Sequence, residues 1–220
     1  MPKRNILSEL SRYKIDTFAH IIHRHALLQP DQEAFVYGSD RITFSEFNAR
    51  VNSLIHALQA MGVKKGDVIG IFSWNCLGFA EVYGAAMKGG FIASPFNTRL
   101  KERELEYVIN YSEANSLLVG PELMEMANQL RPHLPKVKNF ISLEASVPDM
   151  IYHRDLLTNY SKAEPDVQVD EDDPVCIIYT SGTTGMPRGA LYTQRCLIDD
   201  TETLVIDMGL QPGHRHVQIT

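Results

Sequence analysis

The sequence predicts an α/β protein in which a mostly parallel sheet is flanked by helices on both faces. Two observations lead to this prediction. Short, uniformly apolar runs recur along the 220 residues, as strands buried on both faces require. Segments with the period of an amphipathic helix separate these runs, and strands that alternate with helices form parallel sheets. The content of 44% hydrophobic and 22% charged residues is that of an ordinary globular domain.

The first predicted elements alternate in this way as far as residue 94. Asp16 and Thr17 could cap a first helix that stops near Pro30. Thr43 and Glu46 have the spacing of a capping box, so a longer helix begins there. In order, we expect a helix over 18–28, a hairpin of strands 34–37 and 41–44, a helix from the capping box to Gly62, a strand over 68–72, a helix from Asn75 to Lys88 and a strand over 91–94.

The remaining elements continue the alternation. Residues 161–174 are polar and acidic with flanking prolines, which indicates a surface connection. In the last predicted helix, Ile198, Val205 and Met208 lie broadly on one side, together with Leu191 just before its start. In order, we expect a helix over 102–111, a strand over 116–119, a helix over 123–130, and strands over 137–142 and 175–179, followed by a helix over 192–208.

Charge and apolar patterning exclude several classes of protein. The net charge of −6 and the lack of any Lys/Arg block longer than two residues argue against nucleic-acid binding. No apolar run approaches the roughly 20 residues that span a bilayer, and the basic start lacks the apolar segment of a secretory signal. Cys76, Cys176 and Cys196 are odd in number and widely spaced, which favours buried free thiols. We therefore expect a cytoplasmic protein without a membrane span, with peripheral membrane contact left open.

The most informative segment follows the apolar run at 175–179. Glycines there permit close approach, hydroxyls and backbone N–H groups donate to phosphate oxygens, and a guanidinium supplies charge and a planar fork. A strand before it and the predicted helix after it complete a strand–loop–helix layout that suits phosphate binding. A solvated turn is the alternative. The segment is Thr180-Ser181-Gly182-Thr183-Thr184-Gly185-Met186-Pro187-Arg188-Gly189, and the residues expected to bind nucleotide phosphates are Thr180, Ser181, Gly182, Thr183, Thr184, Gly185 and Arg188.

Other ligand patterns are weaker or absent. No Gly-Lys-Ser/Thr ends the loop and no Gly-x-Gly-x-x-Gly follows a strand, so neither a P-loop NTPase nor a dinucleotide-binding Rossmann protein is supported. Three histidines, at 20, 23 and 25, lack further ligands at a suitable spacing, so we predict no metal site. Trp74 and Tyr83 are expected in the core. No residue is assigned as a catalytic acid, base or nucleophile.

The glycine- and hydroxyl-rich segment resembles the signature loop of the adenylate-forming (AMP-binding) superfamily, which includes acyl-CoA synthetases, luciferase-like enzymes and peptide-synthetase adenylation domains. Two weaker matches precede it in the family's order. Residues 42–48 resemble an early Thr-Tyr-x-Glu-Leu segment, and residues 83–100 resemble a passage that ends in Pro-x-Asn-x-Arg-Leu. The latter form is most like that of acyl-CoA synthetases (fatty-acid–CoA ligases). Arg188 stands where the family more often carries Lys, which keeps the charge but binds oxygens as a fork.

The resemblance implies that residues 1–220 are the front part of an N-terminal AMP-binding domain, with the small C-terminal domain absent. It implies ATP-dependent activation of a carboxylic acid, most like a fatty acid, to an acyl-adenylate and then to a coenzyme A thioester. ATP, Mg²⁺ and coenzyme A would serve the complete enzyme. Because the family's magnesium, ribose and lysine motifs would follow Thr220, we expect this chain alone to be inactive. A shortened, non-catalytic nucleotide- or acyl-binding protein, or an acceptor other than coenzyme A, remains as an alternative, and the oligomeric state stays open.

Overall fold

A seven-stranded sheet with helices on both faces forms the centre of the computed structural model. The structure describes residues 16–143, 145–180, 187–211 and 213–217. The elements of the first half are α1 (Phe18–Leu28), β1 (Glu33–Tyr37), β2 (Asp40–Thr43), α2 (Phe44–Ala60), β3 (Val68–Phe72), α3 (Leu77–Gly89) and β4 (Ile92–Pro95). Those of the second half are α4 (Glu102–Ser112), β5 (Ser116–Val119), α5 (Met124–Leu130), β6 (Asn139–Ser142), β7 (Ile151–Tyr152), α6 (His153–Thr158), β8 (Pro174–Thr180), β9 (Arg188–Thr193) and α7 (Gln194–Asp207).

The strands lie in the order β7-β6-β5-β3-β4-β8-β9. Every neighbouring pair from β7 to β8 is parallel. The edge strand β9 is antiparallel to β8, and β1 and β2 form a separate antiparallel hairpin. The predicted α/β class with a mostly parallel sheet is confirmed.

Two apolar cores cover the two faces of the sheet. One core contains buried side chains of α2, α3 and α6, such as Leu54, Val82 and Leu156. The other contains side chains of α4 and α5, such as Leu105 and Leu130. Each aliphatic side chain of this kind contributes about 1.5–3 kcal/mol by leaving water. The sheet is therefore held between two helical layers, which fixes the positions of its strand ends.

The connections that leave β3 and β4 go to opposite faces of the sheet. β3 leads into α3 on one face, and β4 leads into α4 on the other. Neighbouring strands with diverging connections leave a crevice outside their carboxyl ends, where α/β proteins commonly bind ligands. β8 is parallel to β4 and lies next to it, so the segment after β8 begins at the same edge of the sheet.

Local sequence signals explain where the first long helices begin. At the start of α1, Thr17 Oγ1 accepts a hydrogen bond from the backbone N–H of His20 at 3.3 Å. At the start of α2, the backbone N–H of Glu46 donates to Thr43 Oγ1, and the N–H of Thr43 donates to the Glu46 carboxylate at 2.8 Å. Gly62 follows the end of α2 and has a φ of 87°. A single glycine with positive φ commonly ends an α-helix in this way. The predicted cap, capping box and helix end are confirmed.

Other parts of the sequence-based prediction differ from the structure. The helix expected over 192–208 is present as α7 but begins at Gln194, and the strand Arg188–Thr193 that precedes it against β8 was not predicted. β7 and α6 were not predicted, since a two-residue strand and a six-residue helix carry too short a periodic signal. Trp74 is 44% exposed instead of lying in the core, whereas Tyr83 does pack against the core.

Two predictions from composition can be compared with the described residues. Cys76, Cys176 and Cys196 are all free thiols; the first two are buried and the third is exposed. The expectation of free cysteines is therefore confirmed, and burial holds for two of them. Within the described ranges, no helix has both the length and the apolar character needed to cross a bilayer.

Candidate functional site

The hydroxyl- and glycine-rich segment connects strands β8 and β9, which are antiparallel partners, and we call residues 181–187 the turn. The predicted strand–loop–helix layout is wrong, since the six residues of β9 separate this segment from α7. The hydroxyl of Thr193 accepts a hydrogen bond from the backbone N–H of Cys196 at 3.3 Å, so the start of α7 is capped from within the chain. Phosphate binding by this segment would thus depend on its own N–H groups, hydroxyls and guanidinium, without the helix N-terminus.

Two of the predicted phosphate-binding residues lie within the described part of the chain, and they face each other. Thr180 is the last residue of β8 and Arg188 the first of β9, and the two are direct cross-strand partners. Side chains of directly opposite residues leave an antiparallel pair on the same face, about 5 Å apart at Cβ. Both residues are exposed. The hydroxyl and the guanidinium therefore emerge together at the base of the turn. The remaining predicted residues, Ser181, Gly182, Thr183, Thr184 and Gly185, lie outside the described residues.

Tyr179 fixes the outer part of the hairpin against the body of the domain. Its ring centroid lies 6.2 Å from that of Phe96, which follows β4, and 6.5 Å from that of Tyr111 on α4 in an edge-on arrangement. Burial, followed by the neighbouring tyrosines, raises the pKa of Tyr179 to about 12. The phenol thus stays protonated at neutral pH, and the residue acts by packing. Sequence reasoning did not assign this role, because its partners are distant in the chain.

Gly189 stands opposite Tyr179 in the hairpin register. A Cβ atom at this position would lie 2.7 Å from Ile177 Cγ2 and 3.4 Å from the Tyr179 ring. Because Gly189 has no side chain, the side chains of Ile177 and Tyr179 on β8 can lie across β9. This steric role alone accounts for a glycine after Arg188. A contact between Gly189 and phosphate is not needed to explain it.

The segments after β3 and β4 meet the hairpin at the carboxyl edge of the sheet. After β4, the Asn97 side-chain oxygen accepts a hydrogen bond from the backbone N–H of Arg99 at 2.9 Å. Arg99 is exposed there, and so is the indole of Trp74, which follows β3. Because neighbouring parallel strands end at the same edge, these side chains and Thr180 at the end of β8 lie at one edge of the sheet.

The three histidines of α1 have separate partners. His20 Nδ1 lies 2.8 Å from Asp16 Oδ1, and His23 Nδ1 lies 3.0 Å from Glu164 Oε1. His25 stacks on the ring of Phe44 with 4.8 Å between centroids. Among the residues that the structure describes, no group of three or more His, Cys, Asp or Glu side chains is arranged to hold a metal ion. The three histidines are thus close in sequence, but each contacts a different side chain.

The curated relatives of this chain include two fatty-acid–CoA ligases. It is 31% identical over 160 residues to a long-chain-fatty-acid–CoA ligase of Thermus thermophilus, which covers 72% of this chain and 29% of the relative. It is also 31% identical over 165 residues to a medium-chain-fatty-acid–CoA ligase of Ectopseudomonas oleovorans, which covers 72% of this chain and 30% of that protein. The chain thus spans less than a third of the length of these relatives.

A solved structure and a family model agree with these relatives. A crystal structure from Rhodopseudomonas palustris, described as a long-chain-fatty-acid CoA ligase, superposes with a TM-score of 0.80 at 29% identity. That match covers 88% of this chain and 48% of the other. The family model described as AMP-binding enzyme matches residues 22–219, nearly the whole chain. This chain therefore belongs to the AMP-binding enzyme family.

Proposed function

We propose that this chain supplies the triphosphate-binding loop of an enzyme that activates a carboxylic acid with ATP. In the first step, a carboxylate oxygen attacks the α-phosphorus, the bond from that phosphorus to the bridging oxygen breaks, and pyrophosphate leaves with the electron pair. In the second step, the thiol of coenzyme A attacks the acyl carbon and AMP leaves. The names of the two curated relatives support a fatty acid as the substrate.

The observation that carries this proposal is the pairing of Thr180 with Arg188 at the base of the turn. A hydroxyl donor and a planar guanidinium side by side suit two oxygens of a phosphate group. The sequence between them adds three further hydroxyls and two glycines and contains no carboxylate. A triphosphate would therefore meet hydrogen-bond donors along the turn without like-charge repulsion.

The position of the turn also supports nucleotide binding. It begins at the carboxyl edge of the sheet, beside the crevice formed where the β3 and β4 connections diverge. Ligands of open α/β sheets bind in crevices of this kind. The exposed indole of Trp74 and the guanidinium of Arg99 lie at the same edge.

The chemistry asked of these residues is positioning and charge stabilisation. Phosphoryl transfer needs its reacting groups held in line and the negative charge on the departing pyrophosphate stabilised. Hydroxyls and N–H groups of the turn would hold the β- and γ-oxygens, and Arg188 would stabilise the leaving group. When bound, Mg²⁺ would share that charge through the phosphate oxygens. No residue of the turn needs to act as an acid, base or nucleophile.

ATP–pyrophosphate exchange, measured on the enzyme that contains this chain, tests the function. A panel of carboxylic acids from acetate to long-chain fatty acids should show exchange that depends on the acid, with the highest rate for a fatty acid. The 220-residue chain alone should bind Mg·ATP and tripolyphosphate but should not catalyse exchange. Failure of both phosphate ligands to bind, measured by calorimetry, would exclude the assigned role of the turn.

A further inference from the structure

A segment without helix or strand leads from α6 to β8 and is held in place by polar contacts. We call residues 161–173 the strap. Its contacts come from α1, where His23 Nδ1 lies 3.0 Å from Glu164 Oε1, from α2, from α3, from the loop before β3 and from the start of α7. The strap therefore touches the layer of helices on one side and runs directly into the strand that carries the candidate phosphate loop.

A row of polar side chains on α2 binds the beginning of the strap. Asn48, Asn52 and His56 are spaced four residues apart, so they lie along one face of the helix. Asn48 Nδ2 donates to Glu164 Oε1 at 2.8 Å, and Asn52 Nδ2 donates to the same oxygen at 3.1 Å and to the Lys162 carbonyl at 3.0 Å. His56 Nε2 lies 3.1 Å from the carbonyl oxygen of Ala163. The row fixes the strap at Glu164.

Lys88 makes Glu164 the central contact of the strap. Lys88 lies on α3 and is only 5% exposed, and its Nζ is 2.6 Å from Glu164 Oε2 and 2.5 Å from Asn48 Oδ1. Lysine is rarely buried to this extent unless it is paired. Burial lowers the pKa of Lys88, and the hydrogen bond and charge of Glu164 act against that effect. Glu164 is therefore the counter-charge that permits a buried ammonium at this position.

Further contacts connect Glu164 to the base of the hairpin, which is the end where Pro174 of β8 pairs with Thr193 of β9. Lys65 Nζ donates to the Gln168 carbonyl at 3.0 Å and forms an ion pair of 2.6 Å with Asp173, the residue before β8. The Asp173 carbonyl in turn accepts a hydrogen bond from the backbone N–H of Gln194 at 3.0 Å, immediately after β9. The fully buried side chain of Gln194 donates to the Met87 carbonyl at 2.7 Å, next to Lys88 in the chain. Both strands of the hairpin are thus tied to the end of α3.

The base is where the hairpin is held to the rest of the sheet. In the described residues, β8 pairs with β4 through Cys176 and Ala93. Beyond that pair, Ile178 and Thr180 of β8 and the first residues of β9 are exposed. Because β8 and β9 pair along their length, a shift of the base would be passed to Thr180 and Arg188, which flank the turn. Apart from the packing of Tyr179, the position of the phosphate loop depends on these base contacts.

We propose that the Glu164–Lys88 pair anchors the base of the β8–β9 hairpin and thereby positions the phosphate loop for its nucleotide. Glu164 is a positioning residue, and it acts through the strap without touching the ligand. The inference rests on the proposed function, because it states that the Glu164–Lys88 pair affects triphosphate binding. Since the apparent Kd equals the intrinsic Kd divided by the fraction of correctly placed loops, loss of the anchor raises the Kd.

The test compares four variants of the chain with the wild type. Glu164→Gln and Lys88→Met each break the pair, and the double variant removes both charges. Glu113→Gln is the matched control, because Glu113 forms an ion pair of the same 2.6 Å length with Lys136, but both side chains are exposed and neither touches the strap. For each protein we would measure the melting temperature, amide hydrogen exchange and the Kd for Mg·ATP.

We expect Glu164→Gln to raise the Kd about tenfold, as a fall of the competent fraction to about a tenth would do. The amides of β8 and β9 should exchange about tenfold faster while those of β5 change little, because local opening need not involve the whole domain. The control should match the wild type in both respects. In the double variant the melting temperature should recover, since no buried ammonium is left unpaired, but the Kd should remain high.

Recovery of nucleotide affinity together with melting temperature in the double variant would overturn the inference, because the pair would then act through stability alone. Unchanged exchange of the hairpin amides in Glu164→Gln would overturn it as well. A wild-type chain that binds no Mg·ATP, combined with faster hairpin exchange in Glu164→Gln, would refute the proposed function and leave the anchoring of the hairpin standing. If neither effect appears, both proposals fail.

Discussion

Arg188 stands directly opposite Thr180 and carries the positive charge of the candidate phosphate loop. In the proposed enzyme, Arg188→Ala should raise the activation free energy of adenylate formation by about 2–4 kcal/mol, if the contact strengthens as charge develops on pyrophosphate. Arg188→Lys should lose less, because it keeps the charge but not the fork. ATP–pyrophosphate exchange measures both effects. Arg154→Ala, which removes an exposed arginine of α6, is the control, and exchange at the wild-type rate in Arg188→Ala would contradict the assignment.

Gly189 supplies a second prediction at the scale of single residues. Gly189→Ala would place Cβ 2.7 Å from Ile177 Cγ2, so the Ile177 side chain or the backbone must shift, at a cost of about 1–3 kcal/mol. Ile177→Ala removes the clashing methyl group, and the double variant should therefore be less destabilised than the two single changes predict together. Urea denaturation of the four proteins measures this coupling. Strict additivity would show that the two residues do not meet as the structure indicates.

At the scale of elements, a buried polar cluster attaches α6 to α2 and α3. Glu81 of α3 is 2% exposed; one of its oxygens accepts a hydrogen bond from Arg50 of α2 at 2.9 Å, and the other lies 3.4 Å from His153 Nε2 of α6. Burial, followed by the charge of Arg50, lowers the pKa of His153 to about 4. At neutral pH the imidazole is therefore uncharged, and its contact with Glu81 is not an ion pair.

The lowered pKa of His153 predicts acid sensitivity. The unfolded chain takes up this proton near pH 6.5 and the folded chain only near pH 4, so the contribution to stability is complete above pH 6.5 and is lost as the pH falls towards 4. The full effect is about 3 kcal/mol. Burial raises the pKa of Glu81, which adds stability as the pH falls and so opposes the effect of His153.

The difference between the wild type and His153→Gln isolates the histidine from the other titrating groups. Urea denaturation at pH 7.5, 6 and 5 should show that the wild type loses more of its free energy of unfolding than the variant does over this range. Parallel pH profiles of the two proteins would mean that His153 is not held neutral by its surroundings. Glutamine is close to histidine in size and is also polar, so this substitution limits the change in packing.

The sequence alone predicts some elements better than others. The difference lies in how far apart along the chain the residues are that determine each element. The capping box of α2 was predictable, because Thr43 and Glu46 satisfy each other's backbone within one helical turn. β9 was not, because Leu191 also fits the period of the following helix, and only pairing with β8 distinguishes the two conformations. Elements specified by neighbours in sequence are predicted well, and those specified by a partner strand are not.

The same distinction holds for the candidate site. Thr180 and Arg188 could be predicted because their chemistry is visible in one short segment. The packing of Tyr179 on Phe96 and the pairing of Lys88 with Glu164 join residues far apart in the chain, and no local pattern predicts either contact. Sequence reasoning therefore named residues proposed to touch the nucleotide, and it missed the contacts proposed to position the hairpin.

At the scale of the whole molecule, the topology brings Trp74, Arg99 and Thr180, the residue that precedes the candidate phosphate loop, to the carboxyl edge of one sheet. Because Trp74 is the only tryptophan of the chain and is exposed at that edge, its fluorescence reports on the crevice. Mg·ATP should change its emission with the same Kd as calorimetry gives. Tripolyphosphate, which lacks the base, should produce a smaller change if the purine lies near the indole.

A tryptophan at the opposite edge provides the control. Lys138 is exposed and precedes β6, at the amino edge of the sheet, so a Trp74→Phe/Lys138→Trp variant carries its single indole away from the crevice. Saturating Mg·ATP should leave the emission of this variant unchanged while calorimetry still detects binding. An equal response from both edges would indicate a global change in conformation, and a response from Lys138→Trp alone would place the nucleotide at the wrong end of the strands. Either result would refute nucleotide binding at the carboxyl edge of the sheet, even if the turn binds phosphate, because Trp74 lies where the parallel strands end and Lys138 where they begin.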